Sequence, residues 1–152
     1  MRKLFLIFFP VLFLIFSCAN TNQYTDVLVN DQYLLTVPNT LHPCTDLHKR
    51  ASLQLQNVNE DFYVVAIDEK KLTLRDFNLD YTLKTYYDAL IKQPFVQKVK
   101  YPVIDKHPRE ITIGGNKAIL STMSGFVNNR EVFYKLGIIE TPDYFYQIIV
   151  WT

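Results

Sequence analysis

Cysteine is scarce in this 152-residue sequence, and neither sign of charge is in clear excess. The two cysteines, Cys18 and Cys44, allow at most one disulfide, so the fold must depend on its hydrophobic core. Sixteen Lys and Arg against fifteen Asp and Glu give a formal charge of +1. This balance provides neither a basic field for nucleic acid nor an acidic tail, and we expect no nucleic-acid partner.

Sequence signatures of catalysis are also missing. The chain contains no HExxH motif, no Ser-His-Asp order and no paired-carboxylate context. Gly114-Gly115 lies between two alternating apolar segments and is not followed by Gly-Lys-Ser/Thr, so it predicts a turn and not a phosphate-binding loop. We therefore expect a protein that is not an enzyme and has no cofactor.

Hydrophobicity is concentrated at the N-terminus. Arg2 and Lys3 precede an uncharged run over residues 4–16, which is interrupted only by Pro10. Thirteen residues suit the apolar region of a signal peptide and are too few for a transmembrane helix, which needs about 20. Ser17-Cys18 follows the run and resembles the lipobox of bacterial lipoproteins, in which the cysteine is acylated and becomes the new N-terminus.

This resemblance implies a signal peptide at 1–17 and lipidation of Cys18. The alternatives are an ordinary secretory signal with a coincidental cysteine, or a retained N-terminal anchor. Loss of Arg2 and Lys3 would change the formal charge from +1 to −1 and would leave Cys44 as the remaining thiol. Ala19-Asn20, directly after the cysteine, carries no acidic residue. Under the enterobacterial sorting rule for lipoproteins, this resembles a signal for the periplasmic side of the outer membrane.

The remaining chain predicts a short tether followed by one domain. Residues 18–31 begin polar and without helical period, and are interpreted as a lipidated tether. Residues 32–152 contain no repeat or charge block and are interpreted as a single domain. Its first strands are expected at 33–37, 52–57 and 62–67, and the third is apolar on both faces, as in a central strand.

One helix and a final meander complete the pattern. The helix is expected from about residue 79, with Asn78 or Asp80 as N-cap, and ends at Gln93-Pro94. Residues 101–106 are a candidate strand, and further strands are expected at 109–113, 117–125, 131–140 and 144–151, with turns at Gly114-Gly115 and Asn128-Asn129. The fold class is therefore α+β, an antiparallel sheet of about six to seven strands with helical cover.

Several segments together resemble the PsbP-like superfamily, an antiparallel α/β/α sandwich. They are Tyr33-Leu34-Leu35-Thr36-Val37-Pro38, the hairpin over 53–67, the helix with Tyr86, Tyr87 and Leu90, Ile113-Gly114-Gly115-Asn116-Lys117-Ala118 and the closing strand 144–152. The resemblance implies this fold and no particular activity. It also implies a C-terminal helix after the closing strand, and the printed sequence ends at Thr152 without one.

The sharpest chemical pattern is His-Pro-Cys-Thr-Asp-Leu-His. His42, Cys44, Asp46 and His48 alternate, so an extended segment would project four zinc- or copper-binding side chains to one side. Pro43 disrupts regular strand geometry, and a polar loop with a half-buried thiol explains the same residues. We expect that no metal is bound. If a metal is bound, these four residues are its candidate ligands.

Together these patterns predict a lipoprotein of the bacterial cell envelope. It would be anchored to a membrane through Cys18 and would serve as a non-enzymatic interaction or accessory module with an envelope protein partner. The alternative is a lipoprotein that binds a metal or a small ligand through the His42–His48 segment.

Overall fold

The computed structural model describes residues 23–92 and 98–152. The predicted signal peptide, Cys18 and Gln93-Pro94 lie outside these ranges. Within them, ten strands and two α-helices follow one another along the chain: β1 (Tyr24–Val29), β2 (Tyr33–Pro38), β3 (His42–Pro43), β4 (Leu53–Asn57), β5 (Phe62–Lys70), α1 (Lys71–Asp76), α2 (Leu83–Leu90), β6 (Lys100–Ile104), β7 (Arg109–Ile113), β8 (Asn116–Val127), β9 (Arg130–Glu140) and β10 (Tyr144–Trp151).

Eight of the described strands form one antiparallel sheet. Its order is β3-β4-β5-β10-β9-β8-β6, and β7 also pairs with β8. The predicted class, an antiparallel sheet with helical cover, is confirmed, but the sheet is larger than the predicted six to seven strands. Strands β5 and β10 are central, and Val64 and Val65 of β5 point to opposite faces yet are both buried, as the two-sided apolar pattern predicts.

The N-terminal boundary differs from the prediction. Residues 24–29, which the sequence pattern assigned to the tether, form β1 and pair with β2 in a separate two-stranded sheet. Asn30 and Asp31 between them adopt positive φ, which both residue types tolerate better than most. The polar start of the segment concealed this hairpin, although Val27 and Val29 alternate with a strand period.

The β1–β2 hairpin and α2 cover opposite faces of the main sheet. On the hairpin face, Val37 and Leu41 form a buried cluster with Leu55 and Val64. On the helix face, the buried side of α2 packs on Ile119, Ile138 and Phe145, through the residues Leu83, Tyr86, Tyr87 and Leu90. The fold thus has three layers: hairpin, sheet and helix.

Between residues 71 and 90 the structure has two α-helices, where the sequence pattern predicted one. Asn78 does not cap α2; it has positive φ and its N–H donates to Arg75 O, so it terminates α1, which was not predicted. Helix α2 begins after Thr82, whose side chain accepts from the N–H of Thr85 in a capping box. The predicted apolar face is confirmed for Leu83, Tyr86, Tyr87 and Leu90, whereas residues 79–82, which the prediction included, precede the helix.

The final meander matches its prediction closely. Gly114 and Gly115 both have positive φ and join β7 to β8, and Asn128 and Asn129 do the same between β8 and β9. These are the conformations that two-residue hairpin turns require. The turn after β9 is held by Thr141, whose N–H donates to Tyr144 O.

Candidate functional site

The His42–His48 segment is extended only at its start. His42 and Pro43 form β3, paired with Gln56 and Leu55 of β4, and the chain then turns across the helix face of the sheet. His42 and Asp46 are exposed, whereas Cys44 and His48 are half-buried. In the ranges 23–92 and 98–152, no three His, Cys, Asp or Glu side chains are grouped as metal ligands. The four candidate ligands are therefore not brought together.

Gln54 fixes the position of this segment. Its Oε1 accepts from the backbone N–H groups of Leu47 and His48 at 2.8 and 2.9 Å. Leu47 consequently packs on the apolar cluster that contains Val65 and Ile149. The sequence pattern placed Leu53 and Leu55 inward and gave no role to Gln54. Its alternation does place Gln54 on the opposite face, which could have indicated this contact.

The surroundings of Cys44 do not activate its thiol as a nucleophile. Burial raises its pKa above the ordinary value, and the negative charge of Asp46 acts in the same direction. A reactive cysteine needs the opposite shift, because the thiolate is the attacking species. His48 Nδ1 accepts from the N–H of Arg50 at 3.3 Å.

A chain of polar side chains crosses the helix layer into the sheet. Arg50 donates to Glu69 Oε1 at 2.9 Å, and Tyr86 Oη donates to Glu69 Oε2 at 2.8 Å. Gln147 Nε2 donates to Tyr86 Oη at 2.6 Å. Burial raises the pKa of Tyr86 far above its ordinary value, and the Glu69 charge adds to the effect. Tyr86 therefore remains a protonated donor at any physiological pH.

This polar chain was not predicted from the sequence. Tyr86 was recognised only as part of an apolar helix face, and Glu69 and Gln147 were not singled out. They lie on β5 and β10 and become neighbours because those strands pair, with Glu69 opposite Phe145 and Ile67 opposite Gln147. A contact that depends on strand pairing leaves little trace in local sequence.

Beside Gln147 lies a small cavity on the helix face. It has a volume of about 200 Å³ and lies between the 45–50 segment and strands β5, β9 and β10. Its walls combine aliphatic and aromatic side chains with His48 and Gln147. Of the four candidate residues from the sequence pattern, only His48 lines this cavity.

The hairpin face carries a longer groove. Two cavities of about 380 and 670 Å³ share Asp105, Thr122, Lys135 and Val150 as lining residues. The floor of the first is aliphatic and includes Leu120, Ile139 and Ile148. Arg109 lies at its wall, and the exposed side chains of Val103 and Phe133 line the second. The groove thus joins apolar surface with charges of both signs.

The described residues include no helix long and apolar enough to cross a membrane. Neither a family model nor a curated protein matches the sequence. Among solved structures, the chain is similar to the crystal structure of a protein of unknown function, PA94 from Pseudomonas aeruginosa. The two share 12% sequence identity with a TM-score of 0.46, and the match covers 86% of this chain and 83% of the other.

Proposed function

We propose that this protein is a bacterial lipoprotein, anchored through acyl chains on Cys18, whose domain is a non-enzymatic interaction module of the cell envelope. The observation that carries the proposal is the order of features in residues 2–18: two positive charges, thirteen uncharged residues and then Ser17-Cys18. Each buried CH₂ of an acyl chain contributes about 0.8 kcal/mol, so two chains anchor a domain stably whereas one is marginal.

The position of β1 sets the distance between this anchor and the folded domain. Tyr24, the first residue of β1, follows Cys18 by six positions, with five residues between them. At about 3.3–3.6 Å per residue, the extended segment would reach roughly 20 Å. The proposed lipoprotein would therefore hold its domain close to the membrane surface, favoured here as the periplasmic side of the outer membrane.

We further propose the PsbP-like superfamily as its fold family. The antiparallel sheet with α2 on one face supports this, as do the Gly114-Gly115 hairpin and the final strand β10. On the other face the described residues carry the β1–β2 hairpin, whereas the resemblance implies a C-terminal helix that covers the sheet.

An interaction role is supported by the groove on the hairpin face. Two exposed apolar side chains line it, with Phe133 55% and Val103 68% exposed. Asp105, Arg109 and Lys135 border the same surface, so it offers charges that can fix the orientation of a partner. This combination suits an envelope protein partner.

Lipidation is tested by metabolic labelling with an alkyne fatty acid in a bacterium that processes lipoproteins. Wild type and Cys44→Ser should incorporate the label and remain in the membrane fraction, whereas Cys18→Ser should lose both properties. Mass spectrometry of the mature N-terminus should find acylated Cys18. An unmodified N-terminus further along the chain, or labelling that persists in Cys18→Ser, would refute the proposal.

A further inference from the structure

The small cavity beside Gln147 combines largely apolar walls with two defined polar groups. Val65 of β5 and Leu47 of the 45–50 segment provide aliphatic walls, and Tyr134 and Trp151 provide aromatic walls. The rings of Tyr134 and Trp151 are 6.1 Å apart and tilted by 31°. Tyr63 stacks on Trp151 at 5.2 Å and supports its ring.

The hydrogen-bond chain fixes the orientation of the Gln147 amide. Tyr86 has one hydroxyl proton and donates it to Glu69, because a carboxylate can only accept. Tyr86 Oη must therefore accept from Gln147, which assigns the nitrogen of the amide to that contact. The other amide atom, Oε1, is left as an acceptor.

This oxygen has access to the cavity. Gln147 is only 1% exposed as a residue, and the described residues give its Oε1 no hydrogen bond. No side-chain N or O atom in the described part of the chain is both sealed from solvent and unpaired, so Oε1 keeps a small accessible area. Gln147 lines the cavity, and we assign this accessible area to it.

His48 offers the complementary group. Its Nδ1 accepts from the N–H of Arg50, so the proton of the neutral ring is on Nε2. Burial lowers the pKa of His48, and the nearby charge of Arg50 lowers it further, which keeps the ring neutral at neutral pH. The cavity is thus lined by one acceptor residue and one donor residue on otherwise apolar walls.

Size and polarity define the class of ligand. An apolar cavity of about 150 Å³ accepts a benzene ring, so one of about 200 Å³ accepts one ring or a small fused pair. A sugar is a poor match because its several hydroxyls would lose their water partners against these walls. A charged ligand is equally poor, since Arg50 and Glu69 already pair with each other.

We propose that this cavity binds a small, uncharged, planar heteroaromatic molecule, whose N–H donates to Gln147 Oε1 and whose acceptor receives His48 Nε2–H. The site is independent of lipidation at Cys18. It gives the 45–50 segment a binding role that requires no metal.

The probe is quinazolin-4(3H)-one, a fused ring with one N–H donor and one carbonyl acceptor. Trp151 is the only tryptophan in the sequence, so its single indole N–H peak reports binding in ¹⁵N–¹H NMR spectra. We expect a saturable shift of this peak. The 3-methyl derivative lacks the donor and should bind at least about tenfold more weakly, which corresponds to one lost hydrogen bond.

Variants locate the site. Gln147→Leu should weaken the unmethylated probe by about tenfold, whereas Gln56→Leu, a matched change outside the cavity, should not alter its affinity. His48→Leu, at a half-buried loop position, removes the donor without substituting any member of the polar chain under α2 and should weaken the same probe. Absence of a saturable shift, or equal affinity for the two probes, would overturn the proposal. So would unchanged affinity in His48→Leu, even if Gln147→Leu fails to fold.

Discussion

Tyr86 on helix α2 donates its hydroxyl proton to Glu69 on strand β5 across 2.8 Å. The ring of Tyr86 stacks on Phe145 of β10 with centroids 4.2 Å apart and planes 9° apart. One side chain therefore joins the helix to both central strands, through an apolar face and a polar tip. Such amphipathic contact is typical of buried tyrosine.

We predict that Tyr86→Phe destabilises the protein by about 1–3 kcal/mol. The ring stacking would persist, but Gln147 Nε2 would lose its acceptor and Glu69 would lose a donor. A buried polar group without a partner loses its hydration without compensation. The measurement is the free energy of unfolding in urea.

The matched control is Tyr81→Phe. Tyr81 contacts the ring of Tyr86 edge-on at 5.6 Å, and the described residues give its hydroxyl no hydrogen bond. We expect a change within about 0.5 kcal/mol. Equal effects of the two variants would show that the hydrogen-bond chain does not contribute to stability.

Gly125 on β8 is predicted to be intolerant of any side chain. A Cβ atom there would overlap Val99 Cγ1 and would lie 2.8 Å from the backbone oxygen of Lys100. The backbone near β6 cannot move freely, since β6 pairs with β8 across a register shift. Gly125→Ala should therefore lower the unfolding free energy by about 1–3 kcal/mol.

Gly137→Ala on the adjacent strand β9 is the control for Gly125→Ala. Its Cβ would have its nearest contact at 3.4 Å, to Leu120 Cδ2, which is ordinary van der Waals distance. The thermal midpoint should fall clearly more in Gly125→Ala than in Gly137→Ala. The reverse order would contradict the close approach of β6 to β8.

Lys71 and Glu140 form an ion pair that we predict to be worth more than an ordinary surface pair. Lys71 Nζ lies 2.7 Å from Glu140 Oε1, with side chains 16% and 25% exposed, and it also lies over the ring of Phe145. Lys71→Met preserves most of the aliphatic stem and removes the charge. We expect a loss of about 1–3 kcal/mol, because Glu140 would be left half-buried and unpaired.

Lys84→Met removes a comparable charge from an exposed pair. Lys84 Nζ lies 3.6 Å from Asp88, and these side chains are 72% and 43% exposed. The loss there should be about 0.5 kcal/mol or less, since solvent screens such pairs. If urea unfolding finds Lys71→Met no more destabilising than Lys84→Met, the partly buried pair has no special role.

The turns were predictable because their residues act locally. Gly and Asn tolerate positive φ better than other residue types, so Gly114-Gly115 and Asn128-Asn129 identified the final hairpins. Asn78 also adopts positive φ, yet the same residue type suits a helix N-cap, and the sequence pattern offered Asn78 or Asp80 in that role, whereas Thr82 caps the helix. Local preference alone does not distinguish the end of α1 from the start of α2.

The candidate site was less predictable than the fold. Among the candidates at 42–48, only His48 contributes to the cavity, and its position depends on two hydrogen bonds from the segment to Gln54. Gln147 is separated from Tyr86 by 61 residues. The alternation in β10 could indicate that Gln147 shares a face with Phe145, but its partner is determined by helix packing across the sheet.

Stability should depend on pH through His48. Burial, assisted by Arg50, places its folded-state pKa below the value of 6.5 expected for the unfolded chain. The unfolded state therefore binds a proton more readily than the folded state near pH 6.5. The stability that depends on neutral His48 is fully present above that pH and is lost as the pH falls through the lower folded-state pKa. Unfolding free energies at about pH 8 and about pH 5 should differ more in wild type than in His48→Gln.

Comparing each protein with itself at the two pH values cancels the constant effect of losing the contact with Arg50. Parallel pH profiles for the two proteins would show that His48 is equally easy to protonate in the folded and unfolded states.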